Sequence, residues 1–160
     1  DLMLMGSGAI RSYALGPVVH YADLVECLPY DDAVYMLKVT GTQLERMIRH
    51  ILRDEAFQGE HTEFYQFSHG MRIVWSRSGQ VFRELTLDGE VLHADRLYSV
   101  AMQKYHYNNL KPFLNITLEE AEQNGKIRVL STSARDVVEE YLTVNQHLSR
   151  EVEGRLVVEA

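Results

Sequence analysis

A short apolar run, Leu2-Met-Leu-Met5, leads directly into Gly6-Ser7-Gly8, and Arg11 follows three residues later. Glycines at the end of a strand let backbone come close to a ligand or to a neighbouring strand. Arginine stays charged and presents a rigid fork of donors suited to phosphate, carboxylate or ribose oxygens. What this run can fold into is limited by Gly16-Pro17. A dinucleotide-binding turn needs a helix that starts at the glycines and aims its N-terminus at a pyrophosphate. Proline so soon afterwards stops that helix, and the third glycine of the fingerprint is missing. No Gly-Lys-Ser/Thr follows, so a nucleotide-binding P-loop is excluded as well.

The rest of the chain reads as one domain spanning residues 1–160, with no repeat, low-complexity tract or linker. Nearly half of its residues are apolar, enough for a single hydrophobic core at this length. His20 to Leu28 predicts a short helix ended by Pro29. Asp32 to Val39 alternates as a strand, with Val34, Met36 and Lys38 on one face and Tyr35, Leu37 and Val39 on the other. Thr42-Gln-Leu-Glu45 has the form of a capping box. It precedes the stripe Leu44, Met47, Ile48 and Ile51, which has helical spacing. Ser78-Gly79 and Asp88-Gly89 predict two hairpins, and Trp75, in the strand before the first of them, is expected in the core. Thr117-Leu-Glu-Glu120 and Ser133-Ala-Arg-Asp136 predict two further helix starts, the second leading into Val137, Val138, Tyr141 and Leu142. The fold class is therefore α+β (mixed α/β): layered sheets with antiparallel hairpins and packed helices.

Several chemistries are excluded. The formal net charge of −7 argues against a nucleic-acid polymer or an anionic membrane surface as partner. No apolar run reaches membrane-spanning length. The single cysteine, Cys27, has no internal disulfide partner and reads as a small buried hydrophobe. The seven histidines stand apart from one another, without His-x-His or His-Glu-x-x-His spacing. No Gly-x-Ser-x-Gly nucleophile turn is present. Arg46, Arg49 and Arg53 read as a solvated helix face. Glu119, Glu120 and Glu122 fit the start of a helix dipole, and Asp31-Asp32 fits a turn.

The order of local signals resembles the C-terminal domain of the 5'-nucleotidase family, which includes UDP-sugar hydrolases and cyclic-nucleotide phosphodiesterases. The family shows an Asn-Gly-Gly-Gly-Ile-Arg-like turn, a short helix ending in Leu-Pro-Phe, a strand and a Leu-Thr-Gly-x-x-Leu helix start. The corresponding segments are Gly6-Ser-Gly-Ala-Ile-Arg11, Leu24-Val-Glu-Cys-Leu-Pro-Tyr30 and Leu37-Lys-Val-Thr-Gly-Thr-Gln-Leu44. Phe67 to Trp75 is similar to the family's central strand, Leu97 to Gln103 to the strand before its second aromatic loop, and Val152 to Val158 to its closing strand.

That resemblance implies a substrate-binding domain cut from a longer two-domain enzyme. An N-terminal metallophosphoesterase domain would hold two divalent metal ions and hydrolyse the ester. This domain would bind the nucleotide, carry no metal or cofactor and be inactive alone. The resemblance places Arg11 at the sugar or phosphate end of the ligand and Tyr30 at the first base-stacking aromatic. Tyr105 falls at the second, with Tyr107 and then His106 as alternatives. The turn Gly6, Ser7 and Gly8 would approach the ligand. The family asparagine is replaced by Gly6, and its Gly-Gly-Asp-Gly stretch reads Asn108-Asn109-Leu-Lys-Pro112, where Asn108 or Asn109 would stand in for an aspartate. The alternative is an interaction module that keeps this fold without a nucleotide slot.

Overall fold

The computed structural model describes residues 1–58 and 62–160. Strand β1 (Leu2–Gly6) is followed by a single 3-10 turn (Ser7–Ala9), and the next helix begins only at α1 (Tyr21–Cys27). The remaining elements are β2 (Val34–Thr40), α2 (Gly41–Ile51), a second 3-10 turn (Asp54–Phe57), β3 (Tyr65–Phe67), β4 (Met71–Ser76), β5 (Val81–Leu87), β6 (Glu90–Val91) and β7 (Leu97–Gln103). After them come α3 (Lys104–Asn108), α4 (Leu110–Leu114), α5 (Leu118–Gln123), β8 (Arg128–Ser131), α6 (Ala134–Val144) and β9 (Leu156–Glu159). Two mixed sheets result, with strand orders β3-β1-β7-β2-β8 and β6-β5-β4-β9.

One core joins both sheets. Leu44, Met47, Ile48 and Ile51 of α2 are fully buried, as are Leu37 and Val39 of β2, Val100 and Met102 of β7 and Ile73 of β4. Each such side chain contributes about 1.5–3 kcal/mol on leaving water. The expected facing of β2 holds, with Leu37 and Val39 inward and Lys38 exposed. Trp75 is buried, and the Arg49 guanidinium lies 5.4 Å from its ring and 4.7 Å from that of Phe82. The arginines of α2 are therefore more than a solvated face. Arg49 lies over rings of the two inner strands of the smaller sheet and also donates to the Gln80 carbonyl, while Arg46 pairs with Glu120 on α5. A second, smaller core joins Leu24, Cys27 and Leu28 of the α1 region to Met5 and to Val138 of α6.

The hairpin at Asp88-Gly89 forms as expected, both residues at positive φ as a type I′ turn requires. Three other expectations are corrected. The capping box of α2 is not Thr42–Glu45 but Thr40–Gln43: the Thr40 hydroxyl accepts from the Gln43 N–H, and the Gln43 side chain accepts from the Thr40 N–H. Gly41 opens the helix because a Cβ there would strike the His93 carbonyl. Phe67 to Trp75 is not one strand. Phe67 ends β3 in the large sheet, residues 68–70 turn, and Met71 begins β4 in the small one. The closing strand begins at Leu156, where it pairs in parallel with Ile73, and residues 152–155 lie outside it.

Candidate functional site at one end of the large sheet

Strand directions bring four segments to one end of the large sheet. β1 and β7 run parallel, so Gly6 and the start of α3 leave the sheet side by side. β3 runs antiparallel to β1 with Gly6 opposite Tyr65, which brings residues 62–64 to the same end. β2 runs antiparallel to β7 with Val34 opposite Gln103, which brings in the loop from Pro29 to Ala33. The glycine turn, the Tyr30 loop and Tyr105 thus belong to one rim.

The turn is tied down at both ends. The Ser7 N–H donates to the Phe64 carbonyl at 2.7 Å, and the Gln66 amide donates to the Ser7 hydroxyl at 3.2 Å. The Arg11 N–H donates to the Cys27 carbonyl at 2.8 Å, which brings the Arg11 side chain to the end of α1. There its guanidinium donates to the Tyr30 hydroxyl at 3.2 Å and lies 5.4 Å from the centre of that ring. Both side chains are exposed, which leaves charge and aromatic face open to solvent.

Tyr30 sits on a braced loop. The Arg135 guanidinium donates to the carbonyls of Leu28 and Pro29, and Asp31 accepts from the Ser133 hydroxyl and the Arg135 N–H. These donors hold the Asp31 carboxyl below the usual carboxylate range, the Ser133 hydroxyl foremost. Asp32 accepts from the Tyr105 N–H at 3.2 Å, and the Ala33 carbonyl from the Lys104 N–H at 2.8 Å. The two acidic residues hold the Tyr30 loop to α6 and α3, a longer-range job than a turn.

Tyr105 is half exposed and rests edge-on against His106, with Phe113 beyond. Tyr107, two residues on, faces elsewhere: its ring stacks on Tyr35 at 4.4 Å and lines a shallow groove with Glu122, Gly125, Lys126 and Ile127. Burial raises its phenol pKa. Asn109 is turned inward on its own helix, its amide donating to the Tyr105 carbonyl at 2.7 Å, while Asn108 is exposed at the end of α3.

His106 is the member of this region whose setting sequence reasoning missed. It is buried, with Nδ1 2.9 Å from the Tyr65 hydroxyl, and burial lowers its pKa to about 4. Its ring lies against Gly6, where a Cβ would stand 2.5 Å from His106 Nε2 and from Glu63 Oε1. Gly6 has ordinary extended torsions, so close approach rather than backbone freedom requires a glycine there. Among the described residues no group of three or more His, Cys, Asp or Glu side chains is placed to hold a metal ion. No described helix is long and apolar enough to cross a membrane.

This two-sheet α+β arrangement is shared with solved nucleotidases and a related hydrolase. The 5'-nucleotidase precursor of Thermus thermophilus superposes over 99% of this chain and 31% of its own, with TM-score 0.77 and 20% identity. The NAD nucleotidase of Haemophilus influenzae superposes over 99% and 30%, with TM-score 0.73 and 15% identity. A sulfate thiohydrolase of Thermus thermophilus gives 98% and 28%, with TM-score 0.71 and 17% identity. The chain thus spans about a third of the length of these proteins. No curated protein matches it in sequence at a significant level. The sequence profile of the 5'-nucleotidase C-terminal domain matches residues 1–115, and the chain belongs to that family.

Proposed function

We propose that this chain is the nucleotide-binding and specificity domain of a 5'-nucleotidase-like phosphohydrolase. A separate N-terminal metallophosphoesterase domain, with two divalent metal ions, would perform the hydrolysis. The observation that carries the reading is the exposed Arg11–Tyr30 pair at the end of the glycine turn. The guanidinium supplies positive charge for a phosphate or sugar oxygen, and the aromatic face beside it suits a base. Tyr105 stands on a segment hydrogen-bonded to the Tyr30 loop and offers a second exposed ring. Stacking of this kind is worth about 1–3 kcal/mol per base and tolerates different bases. Gly6, Ser7 and Gly8 would line the approach, and Asn108 is an exposed amide at the end of the helix that carries Tyr105. A second reading, an interaction module without a nucleotide slot, is favoured by Asn109, whose amide is spent on its own helix.

The test is to record amide chemical shifts while adding adenosine, AMP and a UDP-sugar to millimolar levels. Shifts clustered at Gly6–Arg11, Tyr30 and Tyr105–Asn109 are expected. A folded domain with no movement there would favour the interaction module.

A further inference from the structure

The Tyr30 ring takes its place from its backbone. The side chain is half exposed, and its hydroxyl meets the guanidinium of Arg11, which is itself at the surface. The peptide groups just before the ring are gripped by a single residue of α6. The mostly buried Arg135 guanidinium donates to the Leu28 carbonyl from Nε at 3.3 Å and from Nη2 at 3.1 Å, and to the Pro29 carbonyl at 3.2 Å. The residues just after the ring grip the first turn of α6 in return. Asp31 accepts from the Ser133 hydroxyl at 2.7 Å and from the Arg135 N–H at 3.1 Å, and the Asp32 carbonyl accepts from the Ala134 N–H at 2.9 Å. A cation in the first turn of a helix opposes the helix dipole. Helix stability therefore does not account for Arg135, whereas its charge-assisted bonds to two loop carbonyls do. Asp31, 3.8 Å from the guanidinium, balances the charge.

We propose that Arg135 is a positioning residue for base recognition, which sets the Tyr30 ring where a base stacks without touching the ligand itself. The inference rests on the nucleotide-binding reading above. It divides the site by anchorage. Arg11, which meets phosphate or sugar oxygens, stands on a turn tied to the β3 region and to α1. Tyr30, which meets the base, stands on a loop held by α6. Loss of the Arg135 fork therefore weakens the base-dependent part of the affinity and spares the rest.

The experiment measures the affinity of the chain for AMP and for ribose 5-phosphate, which lacks the base, by amide-shift titration. The wild type is expected to prefer AMP about tenfold, the scale of one stacked base. Arg135→Met keeps the aliphatic stem and removes the donors. It should narrow that preference to about twofold or less, through weaker AMP binding, while ribose 5-phosphate binds as before and the amide signals of α2 stay in place. Ser133→Ala cuts the grip on Asp31 and should narrow the preference in the same direction by about twofold. An unchanged ratio in folded Arg135→Met overturns the assignment, as does a loss of affinity equal for both ligands, the mark of a merely structural role. Where Arg135→Met does not fold, an unchanged ratio in Ser133→Ala overturns it. A wild-type chain that binds neither probe overturns the nucleotide reading and this inference with it.

Discussion

Two helices of this domain begin where a strand of the large sheet ends, with no loop between. α2 follows β2 directly at Thr40-Gly41, and α3 follows β7 at Gln103-Lys104. Because β2 and β7 are antiparallel, the two junctions lie at opposite ends of the sheet. At the first, a capping box closes the junction and eleven residues carry an apolar stripe into the core. At the second, the cap residue makes no side-chain hydrogen bond to the helix, the helix lasts five residues, and its one buried side chain is an imidazole. The first junction holds the fold together. The second holds Tyr105 at the rim and wedges His106 against Gly6, a use of local structure for placement more than for stability.

Substitutions should separate the two junctions. The largest effect is expected from Ile48→Ala, which empties part of the core around α2. It should cost about 2–5 kcal/mol in urea unfolding while nucleotide-induced shifts at the rim persist in the folded fraction. Acid should act on the other junction. His106 has a folded pKa of about 4 against an ordinary 6.5, so the unfolded chain takes up its proton first. The contribution is present above about pH 6.5 and lost as pH falls toward 4, up to roughly 3 kcal/mol. Unfolding midpoints measured across that interval should fall, and His106→Gln should flatten the trend. Tyr105→Ala should lose about 1–3 kcal/mol of nucleotide affinity, with an unfolding midpoint moved less than half as far as by Ile48→Ala. The smallest effect belongs to Thr40→Ala. It should remove about 1 kcal/mol of stability with the lost cap and leave the amide signals of α3 in place.

The same contrast explains what could be read from the chain. The stripe of α2, the alternation of β2 and the Asp88-Gly89 hairpin depend on neighbours in sequence, so periodicity and turn chemistry reveal them. Local signals place the start of α2 two residues late because Gly41 is demanded by the His93 carbonyl, a tertiary contact with no local trace. Phe67 to Trp75 read as one strand because each half alternates correctly; only the departure into two sheets separates them. At the rim, the sequence marks Arg11 and Tyr30 separately, and their contact depends on the Arg11 N–H reaching Cys27. The burial of His106 and the position of Glu63 follow from how β1, β3 and β7 pair. A lone histidine between two tyrosines and a lone glutamate before a short strand carry no signal of it.

The brace on the Tyr30 loop bears on how the chain is made. Asp31 receives its hydrogen bond from the Arg135 backbone across 104 positions of sequence. At synthesis rates of about 5–20 residues per second, on the order of ten seconds separates the emergence of that loop from that of its anchor. The sheet strands that flank it are complete before then, since β7 ends at Gln103. During translation the Tyr30 loop, already within reach of α3, therefore waits for a late-arriving buckle, and α6 is the element whose docking completes its anchoring.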